Sequence, residues 1–137
     1  MSACLASLKH DVIAYDDDKK IIDKLKNNTA PLFEPGLDNL ITKTTKEKKL
    51  SFSNNLNKLN SASIIWFAHD IPVNENDEAD TKNVLNKIKN TLKKLKTKKY
   101  VIISSQLPVG TIESLENYSK NILKKNFYFF CCPENLR

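Results

Sequence analysis

With 137 residues, 40% of them hydrophobic, the chain has enough apolar surface for one domain with a moderate core, which excludes disorder throughout. No apolar run reaches the ~18 residues needed to cross a bilayer, and Met1 to Lys9 lacks the basic and apolar regions of a secretory signal. The net charge of +6 comes from 22 basic and 16 acidic residues, yet every basic residue except Arg137 is lysine. Readers of nucleic acid favour arginine, which grips phosphate and guanine bidentately, so neither a nucleic-acid nor a membrane partner is expected. The densest run, Lys93 to Lys99, reads as a solvated helix end and turn, where positive charge suits the helix dipole. Such a surface attracts anions, nucleotides included, weakly and without specificity.

Ala3 to Leu8 reads as the closing turns of an apolar helix, and Asp11 to Tyr15 as a short strand ending at Asp16. Asp18 to Asn27 reads as a helix. Ile21, Ile22 and Leu25 form its apolar face, Asp17 or Asp18 caps its start, and Asn28 ends it in the left-handed conformation. Pro31 to Gly36 is a turn-rich connector to a second helix, Leu37 to Lys48, followed by a strand, Leu50 to Ser53. A short helix begins at Asn55 and runs through Leu59. Ser63 to Ala68 is a nearly continuous apolar strand, which predicts burial on both faces. A polar, acidic loop runs from His69 to Ala79. Asp80 or Thr81 caps the next helix, which reaches Lys96 with Val84, Leu85, Ile88, Leu92 and Leu95 at helical spacing. A strand at Tyr100 to Ser104, a helix at Thr111 to Leu123 and a strand at Phe127 to Cys131 complete the alternation. Strand and helix alternate without hairpin signals, so the fold class is α/β with a parallel sheet.

The cysteines, Cys4, Cys131 and Cys132, have no C-x-x-C spacing, and no His/Cys/Asp set has metal-ligand spacing, so no metal is expected. Cys131 and Cys132 close an aromatic strand, which predicts their burial in a reduced, cytoplasmic environment.

Three segments fall at the carboxyl ends of strands, where an open parallel sheet binds its ligands: Tyr15-Asp16, Ser105 to Thr111, and Pro133 to Arg137. A carboxylate such as Asp16 offers two acceptors to the vicinal diol of a ribose and repels a 2′-phosphate; the same acid run also reads as a helix cap. The Ser104 to Thr111 segment supplies two serine hydroxyls, an amide and Gly110, which allows close backbone approach; Thr111, a third hydroxyl, is placed to cap the following helix. The competing reading is an ordinary strand-to-helix turn. Glu134, just past a strand, reads either as a surface glutamate or as a group that orients a water or accepts a proton. The pair His69-Asp70 follows a strand too, but sequence neighbours on extended backbone point opposite ways, which speaks against a relay.

Together these segments resemble the NAD-binding domain of the UDP-glucose/GDP-mannose dehydrogenase family, along essentially the whole chain. Ala3-Cys4-Leu5-Ala6 and His10-Asp11-Val12 look like the family's A-x-L-A…G-H-x-V. Pro31-Leu32-Phe33-Glu34-Pro35-Gly36-Leu37 is similar to its P-[IL]-[YF]-E-P-G-L connector, Ser105 to Thr111 to its S-T-V-P-V-G-T, and Pro133 to Arg137 to its P-E-[FN]-L-R. The resemblance implies an oxidoreductase that uses two NAD to oxidise the C6 alcohol of a nucleotide sugar to a carboxylate. It implies that Asp16 holds the adenosine ribose, that Pro72 and the segment Gln106, Pro108, Val109, Gly110 and Thr111 line the cofactor, and that Glu134 is catalytic. Leu136 and Arg137 would begin the segment that meets the nucleotide sugar. It also implies a homodimer or higher oligomer for the whole enzyme.

The chain departs from the family in several places. Lys9 stands where the family has glycine at a helix end, at a cost of ~1 kcal/mol if the left-handed geometry persists. His69-Asp70-Ile71-Pro72 replaces V-G-T-P, and Gln106 replaces the threonine of S-T-V-P. Gly36 and Gly110 are the chain's two glycines, so it holds no G-x-G-x-x-G phosphate loop. None of the cysteines matches the family's G-F-G-G-x-C-x-x-K-D nucleophile. The expectation is therefore an incomplete Rossmann-type doubly wound parallel sheet with helices on both faces: residues 1–137 as a partial NAD-binding domain, inactive alone, with first strand, glycine loop, catalytic cysteine and sugar-binding domain elsewhere. The alternatives are a non-catalytic interaction or nucleotide-binding module derived from such a domain and, more remotely, a basic nucleic-acid binder.

Overall fold

A computed structural model of the chain describes residues 1–71, 80–96 and 98–132. The chain divides into two compact units, Met1–Leu59 and Asn60–Arg137. The elements in order are α1 (Ser2–Ser7), β1 (Val12–Tyr15), α2 (Lys19–Lys26), α3 (Leu37–Lys46), β2 (Leu50–Ser53), a 3₁₀ helix (Leu56–Ser61), β3 (Ile64–Phe67), α4 (Thr81–Lys94), β4 (Lys99–Ile103), α5 (Thr111–Asn117) continued by a π-helical turn (Tyr118–Ile122), and β5 (Phe127–Cys131).

In the first unit β1 pairs with β2 in parallel, Val12 opposite Leu50 through Tyr15 opposite Ser53. Ala3 and Ala6 of α1, Ile22 of α2, Ile41 of α3, and Leu50 and Phe52 of β2 form its core, with Val12, Ala14 and Leu25 packed against them. Three helix ends close in the same way. After α1, the Lys9 amide donates to Ala6 O (3.0 Å) and the His10 amide to Leu5 O (3.3 Å). After α2, Asn28 and Thr29 donate to Leu25 O and Lys24 O; after α3, Lys48 and Lys49 donate to Thr45 O and Thr44 O. Each is the two-bond closure that needs a left-handed residue just beyond the cap. The residues there are Lys9 (φ 72°), Asn28 (φ 58°) and Lys48 (φ 58°), none of them glycine. The two glycines serve helix starts instead: Gly36 (φ 82°) precedes α3 and Gly110 (φ 85°) precedes α5.

In the second unit β3, β4 and β5 form a three-stranded parallel sheet. Ile64, Tyr100 and Tyr128 share one row of the register, and Phe67, Ile103 and Cys131 another. Alternation sorts the side chains. Ile65, Phe67, Val101, Ile103 and Phe127 are buried, as are Val84, Ile88 and Leu92 of α4 and Leu115 of α5. The opposite set is exposed: Ile64, Trp66, Tyr100, Tyr128 and Phe130. Tyr100 packs against Tyr128 and Phe130 there, with ring centroids 5.3 and 6.1 Å apart. The burial of Ser63–Ala68 on both faces is thus corrected, since Ile64 is 55% and Trp66 38% exposed. The burial expected of Cys131 and Cys132 is corrected as well, for both are exposed, as is Cys4.

Two lysines work at the amino-terminal side of this sheet. Lys125 Nζ donates to three carbonyls at the end of α4: Leu92 (3.3 Å), Lys93 (2.6 Å) and Leu95 (2.6 Å). Its ammonium thereby satisfies carbonyls that a helix end leaves without partners. Lys99 is buried at the start of β4, and its Nζ donates to Asn60 O (2.9 Å) and to Ala62 O. Burial, and secondarily the charge of Lys96, holds its pKa below the ordinary lysine value.

Candidate functional site

In the first unit β1 carries Tyr15 and Asp16 to its carboxyl end. Asp16 Oδ1 accepts the Asp18 amide at 2.8 Å, and Asp18 Oδ1 accepts the Lys20 amide at 2.7 Å. The two readings of the acid run therefore separate by residue. Asp18 caps α2, while Asp16 spends one carboxylate oxygen on the turn. Burial, then the charges of Asp17 and Asp16, push the Tyr15 phenol above its usual pKa. The carboxylates of Asp17 and Asp16 thus act on this strand end, where a hydroxyl donor is better matched than a second anion.

In the second unit the backbone ladder between β3 and β4 is extended by side chains. Past the Phe67–Ile103 pair, the Ser104 amide donates to Phe67 O at 3.0 Å, and Ser104 Oγ contacts the same carbonyl at 3.3 Å. The Trp66 indole donates to Ser104 Oγ at 3.1 Å. Ser105 Oγ donates to His69 O at 2.7 Å. Both serines are 5% exposed. Sequence reading found their hydroxyls but not their partners, because the partners lie more than 35 positions away and only the strand register brings them close.

The turn after Ser105 carries Gln106, Pro108, Val109 and Gly110, all exposed, and then Thr111, which is buried. Its last step is closed by the Thr111 amide donating to Pro108 O at 3.1 Å. The expected cap by Thr111 is corrected. Gly110 is the capping position, its carbonyl accepts the Ser114 amide, and no side chain caps α5. Asp80, by contrast, caps α4 through the Asn83 amide at 3.1 Å. Pro72, Glu134, Leu136 and Arg137 lie outside the described residues. Asp16 and the Gln106–Thr111 turn belong to different units.

The donor set fits one part of a dinucleotide. Asp16 supplies a carboxylate acceptor at a strand end, as a ribose diol requires. Among the described residues no glycine-rich backbone cradle offers amides to a pyrophosphate, since both glycines lie in the turns before α3 and α5.

The family described as "UDP-glucose/GDP-mannose dehydrogenase family, NAD binding domain" matches residues 1–137. The chain belongs to this family. It is 30% identical over 137 residues to UDP-glucose 6-dehydrogenase TuaD of Bacillus subtilis, covering 98% of this chain and 30% of that protein. It is 32% identical over 140 residues to the putative UDP-glucose 6-dehydrogenase YtcA of the same organism, covering 100% and 32%. A GDP-mannose dehydrogenase from Pseudomonas aeruginosa, solved as a ternary complex, superposes with a TM-score of 0.87 at 21% identity. That alignment covers 99% of this chain and 33% of the solved one, and at such identity it shows the fold alone. The chain thus spans about a third of the length of these relatives. The fold is the Rossmann-type α/β arrangement of the family's NAD-binding domain. Among the described residues no helix is long and apolar enough to cross a membrane.

Proposed function

We propose that these 137 residues are the cofactor-binding part of an NAD-dependent nucleotide-sugar 6-dehydrogenase, which oxidises a sugar C6 alcohol to a carboxylate. The observation that carries this reading is Asp16 at the carboxyl end of β1, inside a chain whose full length matches the family. Asp16 accepts the ribose hydroxyls and excludes a 2′-phosphate, which selects NAD. Gln106, Pro108, Val109, Gly110 and Thr111 line the cofactor on the exposed turn after β4, and Pro72 lies along it after β3. Bound NAD supplies the hydride acceptor. Glu134 orients the reacting groups beside it, and Leu136 and Arg137 begin the contact with the nucleotide sugar. The three cysteines fall outside the family's nucleophile pattern, so the covalent chemistry and the sugar specificity rest on residues outside these 137, and the chain alone does not turn over. The whole enzyme is read as a cytoplasmic homo-oligomer.

The test is reduction of NAD by the full natural polypeptide with UDP-glucose and with GDP-mannose. Activity with one of them, and a KM for NAD raised about tenfold by Asp16→Ala with a relaxed preference against NADP, is the expected result; about tenfold corresponds to one charge-assisted hydrogen bond. Absence of NAD reduction with any nucleotide sugar would overturn the proposal.

A further inference from the structure

We propose that Ser105 is a positioning residue. Its hydroxyl ties the exit of β3 to the exit of β4, and so holds the turn that begins at Gln106 in register with the β3 exit. The inference rests on the reading of these exits as the cofactor edge, but the tie itself is independent of it. The residue register between the two strands runs to the Phe67–Ile103 pair, and the Ser104 amide still donates to Phe67 O beyond it. Ser104 Oγ and Ser105 Oγ contact Phe67 O and His69 O, the latter at 2.7 Å, and carry the attachment two residues past the end of β3. The two bonds differ in what they add. Phe67 O already accepts the Ser104 amide, so the Ser104 hydroxyl is a second donor there and also receives the Trp66 indole. The His69 carbonyl, beyond that register, accepts the Ser105 hydroxyl, and Ser105 is buried. A buried hydroxyl is kept only where it is hydrogen-bonded, because an unpaired one costs more than an apolar side chain of the same shape. After Ser105 the chain is exposed at Gln106, Pro108, Val109 and Gly110, with Leu107 half-buried. Ser105 is therefore a buried fixed point where the exposed turn begins, anchored to the β3 exit at His69.

The consequence is specific. Losing the hydroxyl should loosen both exits without loosening the sheet. Hydrogen exchange, read on the protein by mass spectrometry, should speed up by about fivefold across Ala68–Ile71 and Gln106–Gly110 in Ser105→Ala, as loss of one net hydrogen bond implies. Exchange at Val101 and Ile103 should be unchanged. Ser105→Cys keeps the volume and most of the packing but donates weakly, so it should behave like the alanine variant even if the latter folds poorly. Ser105→Thr keeps the donor and should restore the wild-type pattern. In the full natural polypeptide the same two variants should raise the KM for NAD about fivefold, leaving the KM for the nucleotide sugar and the melting temperature nearly unchanged, again with rescue by threonine. Exchange that is unaltered in both Ser105→Ala and Ser105→Cys would overturn the tie. Faster exchange with an unaltered KM for NAD, or an equal rise in both KM values, would overturn its role at the cofactor edge. If the wild-type polypeptide reduces no NAD, the proposed function fails while the exchange data still decide whether the tie exists.

Discussion

Lys9 offers a sharp test of how this chain closes its helices. It sits at φ 72° just beyond α1, between the two hydrogen bonds that seal the helix end. An L-residue in that conformation costs ~1.5 kcal/mol relative to glycine. Glycine's greater freedom in the unfolded chain gives back ~0.7 kcal/mol of that advantage. The net expectation is that Lys9→Gly is more stable than Lys9→Ala by about 0.8 kcal/mol, close to fourfold in the folding equilibrium. Lys9 also bonds Glu47 Oε2 at 2.8 Å, and this ion pair would be lost. Lys9→Ala loses the same pair but keeps the strain, so the glycine variant should be compared with the alanine variant by urea unfolding at neutral pH. A glycine variant no more stable than the alanine variant would refute the strain argument. The ion pair has its own signature. The Lys9 hydrogen bond is the main reason that Glu47 titrates below its usual range. Its contribution is present above the ordinary glutamate pKa and is lost as pH falls through the depressed value. Both variants should lose that acid limb, which NMR titration of Glu47 can follow.

Three further outcomes are expected. Lys125→Met removes an ammonium that serves three carbonyls at the end of α4 and should cost ~2 kcal/mol in urea unfolding, with α4 fraying first in hydrogen exchange; a cost below ~0.5 kcal/mol would mean that water replaces it freely. Lys99 has a lowered pKa in the folded chain, so the unfolded chain binds more protons between that value and the ordinary 10.5. Stability relative to Lys99→Met should therefore rise as pH climbs through that window, and a parallel pH course for the two proteins would contradict the burial of this charge. Ile88 is fully buried on α4, and Ile88→Ala should cost ~2–5 kcal/mol by transfer and cavity terms, measured as a shift in the urea midpoint at constant slope.

Much of the fold could be read from residue order because the signals are local. β1, β2 and β5 lie where short apolar or aromatic runs end at polar residues, and α4 follows its heptad-like spacing from Val84 to Leu92. The left-handed residue at Asn28 was legible for a similar reason, since the end of a helical pattern favours one, whereas Lys9 was legible only through the family's glycine at that position. What misled is non-local. The run Ser-Ile-Ile-Trp-Phe-Ala is apolar on both sides, but burial depends on a second layer that composition does not report, and Ile64 and Trp66 face out. Cys131 and Cys132 follow the same logic at the end of β5. Thr111 was expected to cap α5, yet the left-handed Gly110 takes that position and leaves the threonine buried. Helix α5 also switches at Tyr118 to a π-helical turn that ends in left-handed Lys124, a change no periodicity announces. For the site, the acid at Asp16 and the exposed turn at Gln106–Gly110 were visible as residue types. The bonds from Ser104 and Ser105 to β3 were not, because strand register makes them.

The outward-facing Trp66 gives the protein an optical gauge of its own. It is the chain's one tryptophan, 38% exposed on the aromatic side of the second sheet, with its indole anchored to Ser104 beside the exit of β4. Its emission should be that of a partly wet indole in the free chain and should move to shorter wavelength whenever anything dry settles over Tyr100, Tyr128 and Phe130. A single unlabelled fluorescence spectrum would then report, in real time and at nanomolar protein, whether that side of the molecule is bare or covered.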